Sequence, residues 1–192
     1  MNRKIILASI SPRRKELLQQ IGLKFQIDKS GYEENMKENL PPHSLAKKLS
    51  RGKAEAVAKR HKNAIIIAAD TIVVFSQEVM GKPSSKKDAK AMLKKLSGKI
   101  NLVITGFTII DTKTGKTISK SIETKVHMKK LSPKLIETYV NSKEPLDKAG
   151  SYAIQGLGSI LINKIEGDYL NIVGLPLAPL ASALKKFGVK VL

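Results

Sequence analysis

The run Ala64-Ile65-Ile66-Ile67-Ala68-Ala69, ending on Asp70, constrains the fold of this chain more than any other stretch. Consecutive apolar residues leave no polar face at either the strand or the helix period. A run of this length and isoleucine content reads as a strand covered on both faces, the arrangement of sheets that carry helices on either side. Its neighbours agree. Residues 4–8 read as another short buried strand, followed by a helix reaching about Gln20, and residues 25–28 as a further strand. Residues 30–42 are a polar loop, after which Ser44 is expected to cap a helix running to about His61. Residues 71–75 either continue the central strand or begin a hairpin, with Ser76-Gln77 as turn residues. An amphipathic helix is expected over 85–96, with Ala89, Met92, Leu93 and Leu96 on one stripe. A long hairpin is expected from 102–111 to 117–130 around Thr114-Gly115, then a capped helix over 132–141, a strand over 159–165 and a closing helix over 175–187. Strands alternating with helices, with one hairpin among them, predict an α/β fold on a mixed, partly antiparallel sheet. No repeat or long linker divides the chain, so residues 1–192 are expected to form a single domain.

Composition removes several chemistries. With no cysteine there are no disulfides, thiolate metal sites or cysteine nucleophile. His43, His61 and His127 lie far apart and form no ligand pair at helix or strand spacing, which argues against imidazole-bound zinc. A hard cation held by carboxylates, magnesium or manganese, is the more natural metal. No apolar run approaches the roughly 20 residues a membrane helix needs. The opening Met1-Asn2-Arg3-Lys4 leads into too short an apolar stretch for a secretory signal, so a cytoplasmic location is expected. The formal net charge of +19 predicts attraction to anions without choosing among nucleic acid, membrane surface and phosphorylated substrates. Lys86, Lys87, Lys90, Lys94 and Lys95 fall on the polar side of one expected helix, where a solvated face is the plain reading.

Several residues stand out for chemistry. In Ser9-Ile10-Ser11-Pro12-Arg13-Arg14, Ser11 fits a helix N-cap and Pro12 the first helical position. Arg13 and Arg14 then crowd the positive end of the helix dipole, at a cost of roughly 0.3–1 kcal/mol each. That placement makes sense if an anion binds there; otherwise it is a basic surface turn. Lys53 sits where the row Leu45, Leu49, Val57 would place an apolar residue, so it must snorkel to water, meet an anion or lose its charge. Asp70 ends the apolar strand, where α/β proteins place ligands, and can hold a metal, accept a proton or cap a turn. Thr71 beside it offers a hydroxyl. Glu33 and Glu34 are adjacent acids in a basic chain, either solvated or completing an oxygen-rich metal site with Asp70. Lys82, in Gly81-Lys82-Pro83, is a cation on a stiff turn. Gln155, in the stretch Asp147-Lys148-Ala149-Gly150-Ser151-Tyr152-Ala153-Ile154-Gln155-Gly156-Leu157-Gly158 with its three glycines, carries donor and acceptor groups that match a pyrimidine edge, or simply lies in a turn. The glycine spacing fits neither the dinucleotide-binding nor the P-loop pattern.

Taken together these segments resemble the Maf family, nearly end to end. Leu7-Ala8-Ser9-Ile10-Ser11-Pro12-Arg13-Arg14 is similar to its S-x-S-P-R-R signature, with Ile10 a small departure from a position usually polar or glycine. Ala69-Asp70-Thr71, Gly81-Lys82-Pro83, Leu96-Ser97-Gly98, Glu144-Pro145-Leu146-Asp147-Lys148-Ala149-Gly150, Gln155-Gly156-Leu157-Gly158 and Val173-Gly174-Leu175-Pro176 follow in the family's order. The resemblance implies a Maf/ITPase-like α/β fold with helices flanking the sheet and two lobes around a cleft. It implies a house-cleaning pyrophosphatase that uses a divalent cation to cut a nucleoside triphosphate between its α and β phosphates. Family roles would fall on Ser9, Arg13, Arg14, Lys53 and Lys82 for substrate, on Glu34 and Asp70 for metal, and on Asp70 as proton acceptor. Arg13, Thr71 and Gln155 would set specificity, and glutamine at 155 resembles the branch acting on dTTP and UTP. The sister branch acting on 7-methyl-GTP typically carries an acid there and is the nearer alternative. The resemblance also allows a homodimer. A basic nucleic-acid-binding protein tied to cell division is the rival reading; the aromatic content of 4%, without basic residues interleaved with stacking rings, argues against it.

Overall fold

The structure is a computed structural model that describes residues 3–36 and 38–191. Met1 and Asn2, part of the opening read above for a signal, lie outside the described residues, as do Lys37 and Leu192. The strands are β1 (Lys4–Leu7), β2 (Gln26–Ile27), β3 (Ala64–Phe75), β4 (Glu78–Met80), β5 (Ile100–Asp111), β6 (Thr117–Met128) and β7 (Ile162–Glu166). The helices are α1 (Pro12–Gln20), α2 (Pro42–Ala58), α3 (Lys86–Leu96), α4 (Pro133–Asn141), α5 (Tyr169–Val173) and α6 (Leu177–Lys185). The sheet runs in the order β2-β1-β3-β5-β6-β7, with β4 added on β3. β1 is parallel to both β2 and β3, whereas β4 on β3 and β7 on β6 are antiparallel, the mixed sheet that the pattern predicts. The chain forms two compact units. One comprises Met1–Asp70, Thr105–Ile122 and Gly174–Leu192; the other comprises Thr71–Ile104 and Glu123–Val173. Among the described residues no helix is long and apolar enough to cross a membrane.

In the first unit, β1 and β3 pair from Lys4 opposite Ala64 to Leu7 opposite Ile67, and the Ala8 N–H adds one more bond to the Ile67 carbonyl at 2.8 Å. There β1 ends, because the chain turns through Ser9 and Ser11 into Pro12, which has no N–H to continue a ladder. β3 continues. Ile66 and Ala68 pack with Ala54 and Val57 of α2, and the two-residue period puts Asp70 on that same face. Ile65, Ile67 and Ala69, on the opposite face, are as fully buried, so the apolar run is covered on both sides. Gly106 of β5 sets how closely α2 lies: a Cβ there would fall 2.1 Å from the Ala46 carbonyl oxygen. Only a residue without a side chain permits that approach.

Two expectations change in this unit. α2 begins at Pro42, with Pro41 rather than Ser44 in the capping position, because Pro42 takes the first helical place at no hydrogen-bonding cost. Asp70 does not end its strand: β3 is continuous through Phe75. Asp70 instead lies just past the carboxyl end of β1, where the edge of β3 toward that neighbour opens.

The second unit packs Leu93 and Leu96 of α3 with Val103, Val126, Val140 and Leu161. Ser76 and Gln77 both take positive φ, 49° and 68°, and form the tight turn that returns the chain as β4. Ser85 and Ser132 accept hydrogen bonds from the N–H groups of Asp88 (3.1 Å) and Leu135 (3.2 Å), true N-caps of α3 and α4. Lys90 and Lys95 of α3 pair outward with Glu137 and Glu78, and Lys86, Lys87 and Lys94 are exposed, the solvated face expected of them. The strand expected over 159–165 starts only at Ile162; before it, Gly156–Leu161 forms a tight 3-10 turn. α5 was not foreseen from the apolar pattern. Asp168 starts it by accepting the N–H groups of Leu170 (2.8 Å) and Asn171 (3.2 Å). The closing helix is shorter than expected, because Pro176 holds its entry and it begins at Leu177.

Candidate active site

The site is built from the ends of elements in the first unit. α1 starts at Pro12 as expected, but Ser11 makes no side-chain cap; its own N–H donates to Ser9 Oγ at 3.2 Å. No acidic side chain lies in the first turn either. The start of α1 thus carries two arginines and no acid, a polarity that suits an anion. Arg14 is fixed by donation from Nε to the Gly174 carbonyl at 2.9 Å and by a longer contact from Nη1 to Ser9 Oγ at 3.5 Å. Burial lowers the pKa of Arg14, Asp70 opposes that fall, Arg13 adds to it, and Glu34 opposes it more weakly. Three neighbouring charges thus act on one guanidinium.

Lys53 is the centre of the cluster. It is 8% exposed on the face of α2 that carries Ala54 and Val57, where sequence asked for an apolar residue. Its Nζ donates to Asp70 Oδ1 and lies 2.7 Å from Glu34 Oε1. An ammonium at that depth without partners would cost several kcal/mol, and these two carboxylates are the partners it has. Of the outcomes left open for it, the structure shows the meeting with an anion. Glu34 reaches it because Tyr32 lies against α2 at Gly52, where a Cβ would sit 2.4 Å from the ring. Asp70 is 5% exposed, and burial raises its pKa; Lys53 and Arg14 pull it back, while Glu34 pushes it further up. A carboxylate so placed has a raised affinity for a proton without having lost its cationic neighbours.

The structure thus brings together Ser9, Arg13, Arg14, Glu34, Lys53 and Asp70, all in the first unit. Both acids of the Glu33–Glu34 pair are exposed, and Glu34 is the one that reaches Lys53. Thr71, Lys82 and Gln155 belong to the second unit. There Lys82 is exposed on a turn tied down by the Gly150 N–H, which donates to the Gly81 carbonyl at 3.0 Å, and Gln155 is exposed directly before the Gly156–Leu161 turn. Thr71 follows Asp70 on β3, part-buried. Gly52, Tyr32 and Gly106 were passed over by the reading of sequence, though a glycine in the middle of a helix, beside a buried-face lysine, was a signal of close approach.

A magnesium-like ion bound with substrate keeps one or two protein carboxylates and takes its other ligands from phosphates and water. Glu34 and Asp70 fit that donor set, since both already converge on a single cation, the Lys53 ammonium. Among the described residues no group of three or more His, Asp or Glu side chains offers a richer cage.

The Maf-like protein family model matches residues 4–187. The chain belongs to the Maf-like family. It is 47% identical over 189 residues to a dTTP/UTP pyrophosphatase of Desulforamulus reducens, covering 98% of this chain and 99% of the relative. It is 50% identical over 190 residues to a dTTP/UTP pyrophosphatase of Methanosarcina barkeri, covering 98% and 96%. Among solved structures it is similar to the Ham1 protein of Staphylococcus aureus, with a TM-score of 0.51 over 83% of this chain and 80% of that one. At 13% identity that likeness concerns the fold alone. For this Maf-like chain the S-x-S-P-R-R segment, the Ala69-Asp70-Thr71 segment and the α2 lysine are therefore parts of one charged cluster rather than scattered motifs.

Proposed function

We propose that this Maf-like chain is a nucleoside triphosphate pyrophosphatase that hydrolyses dTTP and UTP to the monophosphate and pyrophosphate, its two units serving as one functional domain. The observation that carries the reading is Lys53, a buried ammonium held between Asp70 and Glu34 in a cluster that includes Arg13 and Arg14. Support also comes from the relatives, which bear that activity in their names along nearly their whole length.

In this reading Arg13, Arg14, Lys53, Lys82 and the α1 N-terminus bind the triphosphate and stabilise charge that builds as the α–β anhydride opens. Ser9 orients Arg14 and offers a hydroxyl to a phosphate oxygen. Asp70 accepts the proton as water adds across the anhydride, and pyrophosphate leaves; its burial raises its proton affinity toward that role. A divalent cation, magnesium or manganese, held by Glu34 and Asp70, would neutralise phosphate oxygens and acidify a bound water. Arg13, Thr71 and Gln155 are assigned to the choice of nucleotide, with the Gln155 amide reading the pyrimidine edge. We place the enzyme in the cytoplasm, as a homodimer or a monomer, acting on free nucleotides.

The test is a panel of nucleoside triphosphates, including 7-methyl-GTP, incubated with magnesium or manganese and assayed for pyrophosphate. dTTP and UTP should each release one pyrophosphate per monophosphate. Preference for 7-methyl-GTP would move the chain to the sister branch. Binding to random DNA that weakens steeply with salt, with no pyrophosphate from any nucleotide, would replace the enzyme by a nucleic-acid binder.

A further inference from the structure

Gln155 is exposed, yet the backbone that carries it is held with unusual care for a surface loop. Glu144, on the short turn Glu144–Asp147, accepts two consecutive backbone N–H groups just beyond it, Leu157 at 3.0 Å and Gly158 at 2.9 Å. The same carboxylate accepts the Tyr139 hydroxyl at 3.0 Å. That hydroxyl in turn accepts the Ala153 N–H at 3.2 Å, on the other side of Gln155. The loop is thus gripped at both ends by one Glu–Tyr pair, with Gln155 between the grips.

The glycines fit this device. A Cβ at Gly156 would fall 2.6 Å from Glu144 Oε2, and one at Gly158 would fall 2.4 Å from the Ala153 carbonyl oxygen and 2.6 Å from the Tyr139 hydroxyl. Gly156 also has φ of 69°, a conformation other residues rarely take. Larger residues there would push the carboxylate and hydroxyl out of reach of the N–H groups. Tyr139 is 3% exposed, and burial together with the Glu144 carboxylate pushes its hydroxyl pKa up, so it stays a donor across the working pH range.

We infer that Glu144 and Tyr139 are positioning residues for nucleotide choice: they fix the backbone on either side of Gln155 so that its amide meets a pyrimidine in one orientation. Neither touches the base in this account; they act through residue 155. The inference rests on Gln155 reading the base, as proposed above. A charged acceptor makes stronger hydrogen bonds to two backbone donors than a neutral one would, which is why a carboxylate rather than an amide is found here. Holding the amide in advance lowers the ordering cost when a nucleotide binds.

The test uses the full chain with Glu144→Gln, Tyr139→Phe and Gln155→Ala, comparing UTP with CTP and following amide hydrogen exchange at Leu157 and Gly158. Glu144→Gln retains one acceptor and loses the other, so exchange at those amides should quicken about tenfold, the scale of one lost hydrogen bond. The preference for UTP over CTP should fall about as much, through KM with kcat changed less. Tyr139→Phe keeps the ring and loses only the hydroxyl; it should shift preference in the same direction, about threefold. Wild-type exchange and preference in a folded Glu144→Gln protein would overturn the inference, as would failure of both variants to fold, which would make the pair a structural brace. If Gln155→Ala itself leaves the preference unchanged, base reading at 155 falls instead. If Gln155→Ala shifts the preference and Glu144→Gln does not, the positioning role alone falls.

Discussion

Asp70 on β3 and Asp111 at the end of β5 are both buried aspartates of the first unit, 5% and 3% exposed, on neighbouring strands. Their surroundings differ in kind. Asp111 closes a hairpin: it accepts the Lys113 N–H at 3.0 Å and the Thr114 hydroxyl at 2.8 Å, and it pairs with Arg3. Burial pushes its pKa up, but the Thr114, Arg3 and Lys113 donors outweigh burial and hold it below the ordinary carboxylate value. Asp70 has no turn to cap. Burial dominates there, and its pKa rises despite Lys53 and Arg14. The strand-ending aspartate that caps a turn is real in this molecule, and it is Asp111. What remains at Asp70 is a buried carboxylate whose neighbours are charged side chains rather than a turn, the setting on which its proposed role rests.

The comparison can be broken by substitution. The largest effect is expected for Asp70→Asn, which should lower kcat/KM for UTP by about 1000-fold, on the scale of losing a proton acceptor and charge stabilisation together. Circular dichroism should show the fold intact. Near-normal turnover would return Asp70 to a structural role. Lys53→Met should come next. It leaves two carboxylates without their shared cation, which costs about 3 kcal/mol at neutral pH. Asp70 then keeps a pKa raised further still by burial and by Glu34. A group with a raised folded pKa stabilises the fold below its unfolded pKa and loses that contribution as pH climbs through the folded value. The Tm deficit of Lys53→Met against wild type should therefore widen from pH 5 to pH 8. A deficit independent of pH would contradict the coupling.

Gln155→Glu sharpens the account from the second unit. It should raise KM for UTP about tenfold, as an acceptor-only carboxylate replaces an amide that both donates and accepts. Unchanged nucleotide preference would remove residue 155 from base reading. The smallest catalytic effect belongs to Asp111→Asn, within about twofold of wild type in kcat/KM, with a stability loss of about 1–3 kcal/mol from its disturbed turn. Its folded pKa is depressed, so wild-type Asp111 stabilises above the unfolded carboxylate pKa and loses this as pH falls through the folded value. The difference in Tm between Asp111→Asn and wild type should thus shrink under acid.

Sequence carried the central elements because their signals were local. The isoleucine run announced a strand covered on both sides, the stripe over 85–96 an amphipathic helix, the serine at 132 a capped one, and Lys53 announced itself as a charge in an apolar row. What it could not show was which anion Lys53 would meet. That depends on β1 ending at Leu7, on Gly106 letting α2 close on the sheet, and on Tyr32 seating against Gly52, none of which has a periodic signature. The pair of aspartates shows the same limit. Asp70 and Asp111 each follow an apolar strand run, and only the neighbours brought by the fold tell the carboxylate paired with Lys53 from the one that caps a turn. The turn at 156–161 and helix α5 were hidden for a related reason, since glycine crowding and the Asp168 cap override the apolar alternation there.

The account turns on cations and carboxylates of distant origin meeting at one triphosphate. Crystals grown with manganese and the non-hydrolysable analogue α,β-methylene-UTP would test this through the manganese anomalous signal. The account predicts a peak bonded to both Glu34 and Asp70, with analogue phosphate beside Arg13 and Arg14. A peak at Asp111 or elsewhere, with Lys53 still bridging Glu34 and Asp70, would contradict it.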